Sequence, residues 1–115
     1  MRFTGVVQEG TKRATRLGYP TINIAAPHST LSGIYAATVE VDGKTYHAAV
    51  FADEKRGLIE AHLLDVKLDL YGESATIVLL EKFRESEVFE SDEALGSAIA
   101  TDIANVRDYF SGRDI

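Results

Sequence analysis

The sequence predicts a mainly β fold: a compact six-stranded antiparallel β-barrel with a C-terminal α-helix. Three observations predict it. Short β-prone runs alternate with glycine- and aspartate-marked turns as far as Phe83. A polar tip, Asp53-Glu54-Lys55-Arg56-Gly57, joins two of these runs and is too short for a parallel crossover. After Ser91 the apolar spacing changes to a helical one.

Residues 2–8 mix Phe3, Val6 and Val7 with polar partners and form the first expected strand. Residues 9–19 hold Gly10 and Gly18 among Thr11, Lys12, Arg13 and Arg16, the composition of a polar loop. Residues 20–24 are short and β-prone, and residues 25–33, with Pro27 and Ser29, read as a second loop. Residues 34–51 form a hairpin around Asp42-Gly43, a pair that supplies positive φ at low cost. Residues 58–64 and 75–83 are the last two expected strands, separated by a turn at Tyr71-Gly72-Glu73-Ser74. Ser91 is a good helix N-cap, and Asp92 and Glu93 sit where the helix dipole favours acids. Leu95, Ile99, Ile103, Val106 and Phe110 then make one apolar stripe, closed by Gly112.

Composition sets the outer limits. A chain of 115 residues, 45% hydrophobic and 26% charged, is expected to fold as one domain over residues 1–115. A net charge of −6 disfavours general nucleic-acid binding, which needs a clustered basic surface. The absence of cysteine excludes disulfides, thiolate metal sites and cysteine nucleophiles. No apolar run approaches the ~18–20 residues that span a bilayer. The expectation is a soluble, cytoplasmic monomer that binds small molecules, with no membrane or nucleic-acid partner.

Three clusters carry chemistry. Thr21 and Asn23 lie two apart on an extended segment, so their side chains point the same way. Both offer hard oxygen donors of the kind Mg²⁺ accepts beside phosphate and water; a plain turn into a strand would use the same residues. Glu60 and His62 share a strand face among apolar neighbours. Such a carboxylate has a raised pKa, which suits a general base; a solvated face is the alternative. His62 reads as a hydrogen-bonded framework residue. Lys12, Arg13 and Arg16 could hold a polyphosphate, although the loop has neither the phosphate-loop spacing nor the dinucleotide fingerprint.

The order of these pieces adds to their meaning. Gly5-Val-Val-Gln-Glu-Gly10, Pro20-Thr-Ile-Asn23, Gly33-Ile-Tyr-Ala36, Glu60-Ala-His-Leu63, Asp69-Leu-Tyr-Gly72 and Phe83-Arg-Glu85 succeed one another along the chain. In that order they resemble the riboflavin kinase family over nearly the whole length. The resemblance implies a barrel of riboflavin-kinase type that transfers the γ-phosphate of ATP to the 5′-hydroxyl of riboflavin, giving FMN. It implies Thr21 and Asn23 as Mg²⁺ ligands and Glu60 as the catalytic base. It implies Gly5, Gly10, Lys12, Arg16 and Pro20 as nucleotide-binding residues, and Arg84 beside the flavin. In bacteria this domain is often fused behind an adenylyltransferase; the resemblance covers no such domain, so FAD synthesis is not expected of this chain.

Two departures from the family pattern stand out. Ala14-Thr15 replace a usual Gly-Arg, and residues 50–57 are shorter than usual and lack an Asn-Ile-Gly stretch and a Pro-Thr pair. The rival reading is therefore a non-catalytic flavin- or nucleotide-binding module on the same barrel. A third, an oligonucleotide-binding barrel, is disfavoured by the acidic balance and by the lack of an obvious aromatic platform.

Overall fold

The structure, a computed structural model, describes residues 1–9 and 12–113. Its six strands are β1 (Arg2–Val6), β2 (Ile22–Ala25), β3 (Gly33–Val41), β4 (Lys44–Asp53), β5 (Leu58–Leu63) and β6 (Ser74–Arg84). They form one sheet in the order β1-β6-β3-β4-β5-β2, and every neighbouring pair is antiparallel. The two ends of the sheet meet just beyond β1, where Gln8 N–H donates to the Asn23 carbonyl at 2.8 Å. Gly5 belongs to this seam, since a Cβ there would stand 3.3 Å from the Ile24 Cβ.

Alternation along the strands sorts side chains into two layers. One parity fills the barrel: Ile22, Ile24, Tyr35, Ala37, Val39, Val50, Ile59, Ala61 and Ile77 are all buried in a single cluster. The other parity faces outward, where α2 (Asp92–Phe110) lies across the barrel wall. Its stripe residues Ile99, Ile103, Val106 and Phe110 pack on Ala36, Ala49 and Leu64. Alanine at the two strand positions lets the helix approach closely. The Ser91 Oγ accepts the Ala94 N–H at 3.1 Å and caps the helix as its sequence predicts.

The hairpin turn also matches expectation. Asp42 and Gly43 have φ of 51° and 76°, the left-handed pair that a two-residue hairpin requires.

The structure corrects two expectations. The loop over residues 9–19 contains a short helix, α1 (Arg13–Arg16). It forms because Ala14 and Tyr19 pack on the outer apolar layer, and Tyr19 N–H donates to the Ala14 carbonyl at 2.9 Å. The last strand runs to Arg84 and carries two register shifts against β3. At the second, pairing passes from Tyr35↔Lys82 to Ile34↔Arg84, so one residue of β6 is extra. Such a bulge re-aims the side chains beyond it.

Candidate active site

Residues paired across an antiparallel ladder present their side chains on the same face. Asn23 of β2 pairs with Glu60 of β5, Glu60 with Phe51 of β4, Phe51 with Ile34 of β3, and Ile34 with Arg84 of β6. These five residues make one row across five strands on the outer wall. Four of them, Glu60, Phe51, Ile34 and Arg84, line a cleft of about 670 Å³. Its other walls are α1, the first turns of α2 and the segment after β6 that carries Ser86 and Phe89.

Glu60 stands at the polar end of the cleft with its side chain only 14% exposed. Burial pushes its carboxyl above the ordinary range, a tendency that the Arg56 guanidinium opposes and the Asp53 charge reinforces. Arg56 Nη2 donates to Glu60 Oε2 at 3.4 Å, and Arg56 Nε donates to Asp53 Oδ2. Burial alone would raise the Asp53 carboxyl, but its hydrogen bonds from Arg56 outweigh that and hold it low.

Arg84 stands at the opposite end. Its Nε and Nη2 donate to the two oxygens of Asp102 at 2.9 and 2.7 Å, and Nη1 donates to the Glu85 carbonyl at 3.0 Å. Asp102 projects from α2 with a side chain 3% exposed, so the pair ties the helix to the end of β6. The guanidinium also lies 5.7 Å from the Phe89 ring centroid. The wall that follows is held by Ser86, whose Oγ accepts the Gly33 N–H at 2.9 Å. Gly33 has no alternative there: its φ is 113°, and a Cβ would meet the Arg84 carbonyl at 2.5 Å.

A family model described as flavokinase, riboflavin kinase, matches residues 1–110. The chain belongs to the riboflavin kinase family. Among curated relatives, the bifunctional riboflavin kinase/FMN adenylyltransferase of Pseudomonas fluorescens is 36% identical over 115 residues, which is 92% of this chain and 37% of that protein. The enzyme of the same description from Escherichia coli K12 is 32% identical, over 94% of this chain and 37% of that protein. The chain thus spans well under half the length of these relatives. The crystal structure of riboflavin kinase from Trypanosoma brucei matches 96% of this chain and 80% of that one, with a TM-score of 0.65 and 27% identity. A Streptococcus pneumoniae structure titled macrolide-efflux protein has a TM-score of 0.78 at 23% identity over 94% of this chain and 37% of that one, a likeness of fold alone.

The family's motif residues are distributed unevenly. Glu60, Arg16 and Arg84 line the cleft. Asn23 joins the row beside Glu60 and is 3% exposed. Thr21 immediately precedes β2, where the fold fixes the chain through His62, whose Nδ1 donates to the Pro20 carbonyl at 2.8 Å. His62 therefore has the framework role its sequence suggests. Pro20 contributes that carbonyl and is not among the cleft-lining residues. Gly5 lies at the barrel seam, also away from the lining. Lys12 pairs with Glu9 at 3.5 Å with its side chain 57% exposed, and Gly10 lies outside the described residues. Arg13 Nη2 binds Asp92 at 3.1 Å and so joins α1 to the start of α2.

Sequence reasoning missed Arg56, Asp53 and Asp102. Asp102 had a usable signal: it stands between Ile99 and Ile103 on the apolar stripe, where an acid implies a buried partner. Arg56 and Asp53 had none, because a charged tip reads as solvated.

The donor set fits the Mg²⁺ that the family implies. Among the described residues no group of three or more His, Cys, Asp or Glu could hold a metal. Mg²⁺ with ATP does not need one, since it takes only one or two protein oxygens beside phosphate and water. The Thr21 hydroxyl, just before β2, and the Asn23 amide, on it, are two oxygens of that kind.

Proposed function

We propose that this chain is an ATP:riboflavin 5′-phosphotransferase, in which Glu60 takes the proton of the ribityl hydroxyl. The observation that carries the reading is the row: a mostly covered carboxylate and a fixed arginine at opposite ends of one cleft, with apolar side chains between them. The wall of Ile34, Phe51, Phe89 and Leu95 suits a planar ring, and the volume suits a ligand of this size.

Phosphoryl transfer needs mainly positioning and charge neutralisation. Glu60 orients the hydroxyl and removes its proton as the oxygen attacks the γ-phosphorus. The bond from that phosphorus to the bridging oxygen breaks, and ADP leaves with the electron pair. Arg16, whose side chain borders the cleft from α1, complements the outer phosphates. Arg84, held by Asp102, borders the flavin. Thr21 and Asn23 would hold Mg²⁺, which when bound neutralises phosphate charge.

The alternative of a non-catalytic flavin- or nucleotide-binding module gains its support from the shortened loop that the resemblance implies at residues 50–57. Chromatography decides between them. Incubation with riboflavin and Mg-ATP is expected to yield FMN with many turnovers per protein molecule. Saturable flavin binding without FMN would establish the binding module instead.

A further inference from the structure

The tip Asp53–Gly57 puts a guanidinium against Glu60. Arg56 lines the cleft, as do Asp53 and Glu60. Two carboxylates clamp it: Asp53 accepts from Nε, and Glu60 accepts from Nη2 at 3.4 Å. The clamp is close in sequence, because the turn Asp53–Gly57 brings Arg56 back over the first residues of β5, and the Arg56 N–H itself donates to Asp53 Oδ1 at 3.2 Å. A guanidinium has five N–H donors in a rigid plane. Nη1 has no hydrogen-bond partner among the described residues, and the side chain is 39% exposed. One edge of a fixed cation is therefore open.

We infer that Arg56 is a further catalytic residue, which donates from its open edge to the phosphoryl group in transit. This rests on the kinase reading above. A hydroxyl that gives its proton to Glu60 must sit within ~2.6–3.2 Å of that carboxylate. The phosphorus it attacks is one bond further on. A guanidinium already bonded to Glu60 stands beside both atoms. In the transfer the hydroxyl oxygen–phosphorus bond forms, the bond from phosphorus to the bridging oxygen of ATP breaks, ADP takes the electron pair and Glu60 takes the proton. Negative charge on the three equatorial oxygens is what a planar cation stabilises, and the open Nη1 carries two N–H donors for them. Asp53 fixes the plane of the guanidinium. The tip thereby supplies a positive group to the cleft.

The test compares wild type, R56A and R56K in FMN formation, with thermal unfolding on the same samples and guanidinium ion added to R56A. The account expects kcat of R56A to fall ~10²–10³-fold, the usual loss for one transition-state donor. It expects an unchanged KM for riboflavin and a small fall in melting temperature, since Asp53 and Glu60 lose their cation. Added guanidinium restores part of the rate, and R56K keeps more of it than R56A, because each returns positive charge to the open edge. An unchanged kcat in R56A overturns the inference and leaves the kinase reading standing. So does a loss that neither guanidinium nor lysine relieves, since Arg56 would then only hold the tip together. A wild type that makes no FMN overturns the kinase reading first, and this inference with it.

Discussion

The inner and outer faces of the same strands do different work. Inside, Ile24, Ile59, Val50 and Ile77 are excluded from water within one apolar cluster. Outside, one residue along each strand, Asn23, Glu60, Phe51, Ile34 and Arg84 form a row that mixes charge with apolar surface. The difference teaches how a small barrel holds a half-buried carboxylate. The inner face supplies the stability, and the outer face uses it to hold Glu60 and Arg84 in places that cost free energy.

Neighbouring residues on β5 separate the two faces most sharply. Glu60→Gln keeps the shape of the side chain but cannot take up a proton. We expect kcat to fall ~10²–10⁴-fold, with riboflavin affinity, read from flavin fluorescence, and melting temperature little changed. Ile59→Ala, one residue earlier, should do the reverse. It removes a side chain that is 1% exposed and costs about 2–5 kcal/mol. Denaturant unfolding reads this loss, while kcat per folded molecule stays near wild type. If either substitution showed the other's phenotype, the division between the faces would fail.

Arg84 sharpens the comparison, because it belongs to both roles. Arg84→Ala leaves the Asp102 carboxylate buried without its guanidinium, a cost of about 3 kcal/mol. We expect weaker riboflavin binding in the same variant, measured at a temperature where it is folded. A stability loss with normal flavin affinity would confine Arg84 to tying down α2. The smallest effect concerns the nucleotide. Arg16→Ala should raise KM for ATP about fivefold, the ~1 kcal/mol of an exposed charge contact, and leave KM for riboflavin alone. Lys12→Ala should change neither, since Lys12 faces Glu9 outside the cleft lining. Equal effects of the two substitutions would return both cations to the general field of the loop.

Much of the inner face was legible in the sequence. Alternation in Val39 and Val41, in Ile22 and Ile24, and in Ile59 and Ala61 marks the buried parity, and the Asp42-Gly43 turn fixes the register of β3 on β4. The outer row was not legible as a row. It joins positions 23, 34, 51, 60 and 84, and only the pairing register puts them side by side. The two register shifts in β6 decide that Arg84 faces Ile34, and nothing in Leu79-Leu80-Glu81-Lys82-Phe83 announces them. The family resemblance pointed to Glu60, Asn23 and Arg84 one at a time. The residue pattern grouped Lys12, Arg13 and Arg16 as one basic loop, whereas α1 separates them: Lys12 turns to Glu9, Arg13 to Asp92 and Arg16 to the cleft. Ion pairs formed across long stretches of chain leave no local pattern to read.

The pH dependence of kcat tests most directly the claim that the outer face holds a working base. A general base acts only when ionised, so the rate falls as pH drops through its pKa. Burial places that point for Glu60 above the ordinary carboxylate value of 4.5. The wild-type profile should therefore show an acid limb above 4.5, and the residual rate of Glu60→Gln should lack it. The same acid limb in both proteins would contradict the account and assign the proton to another group.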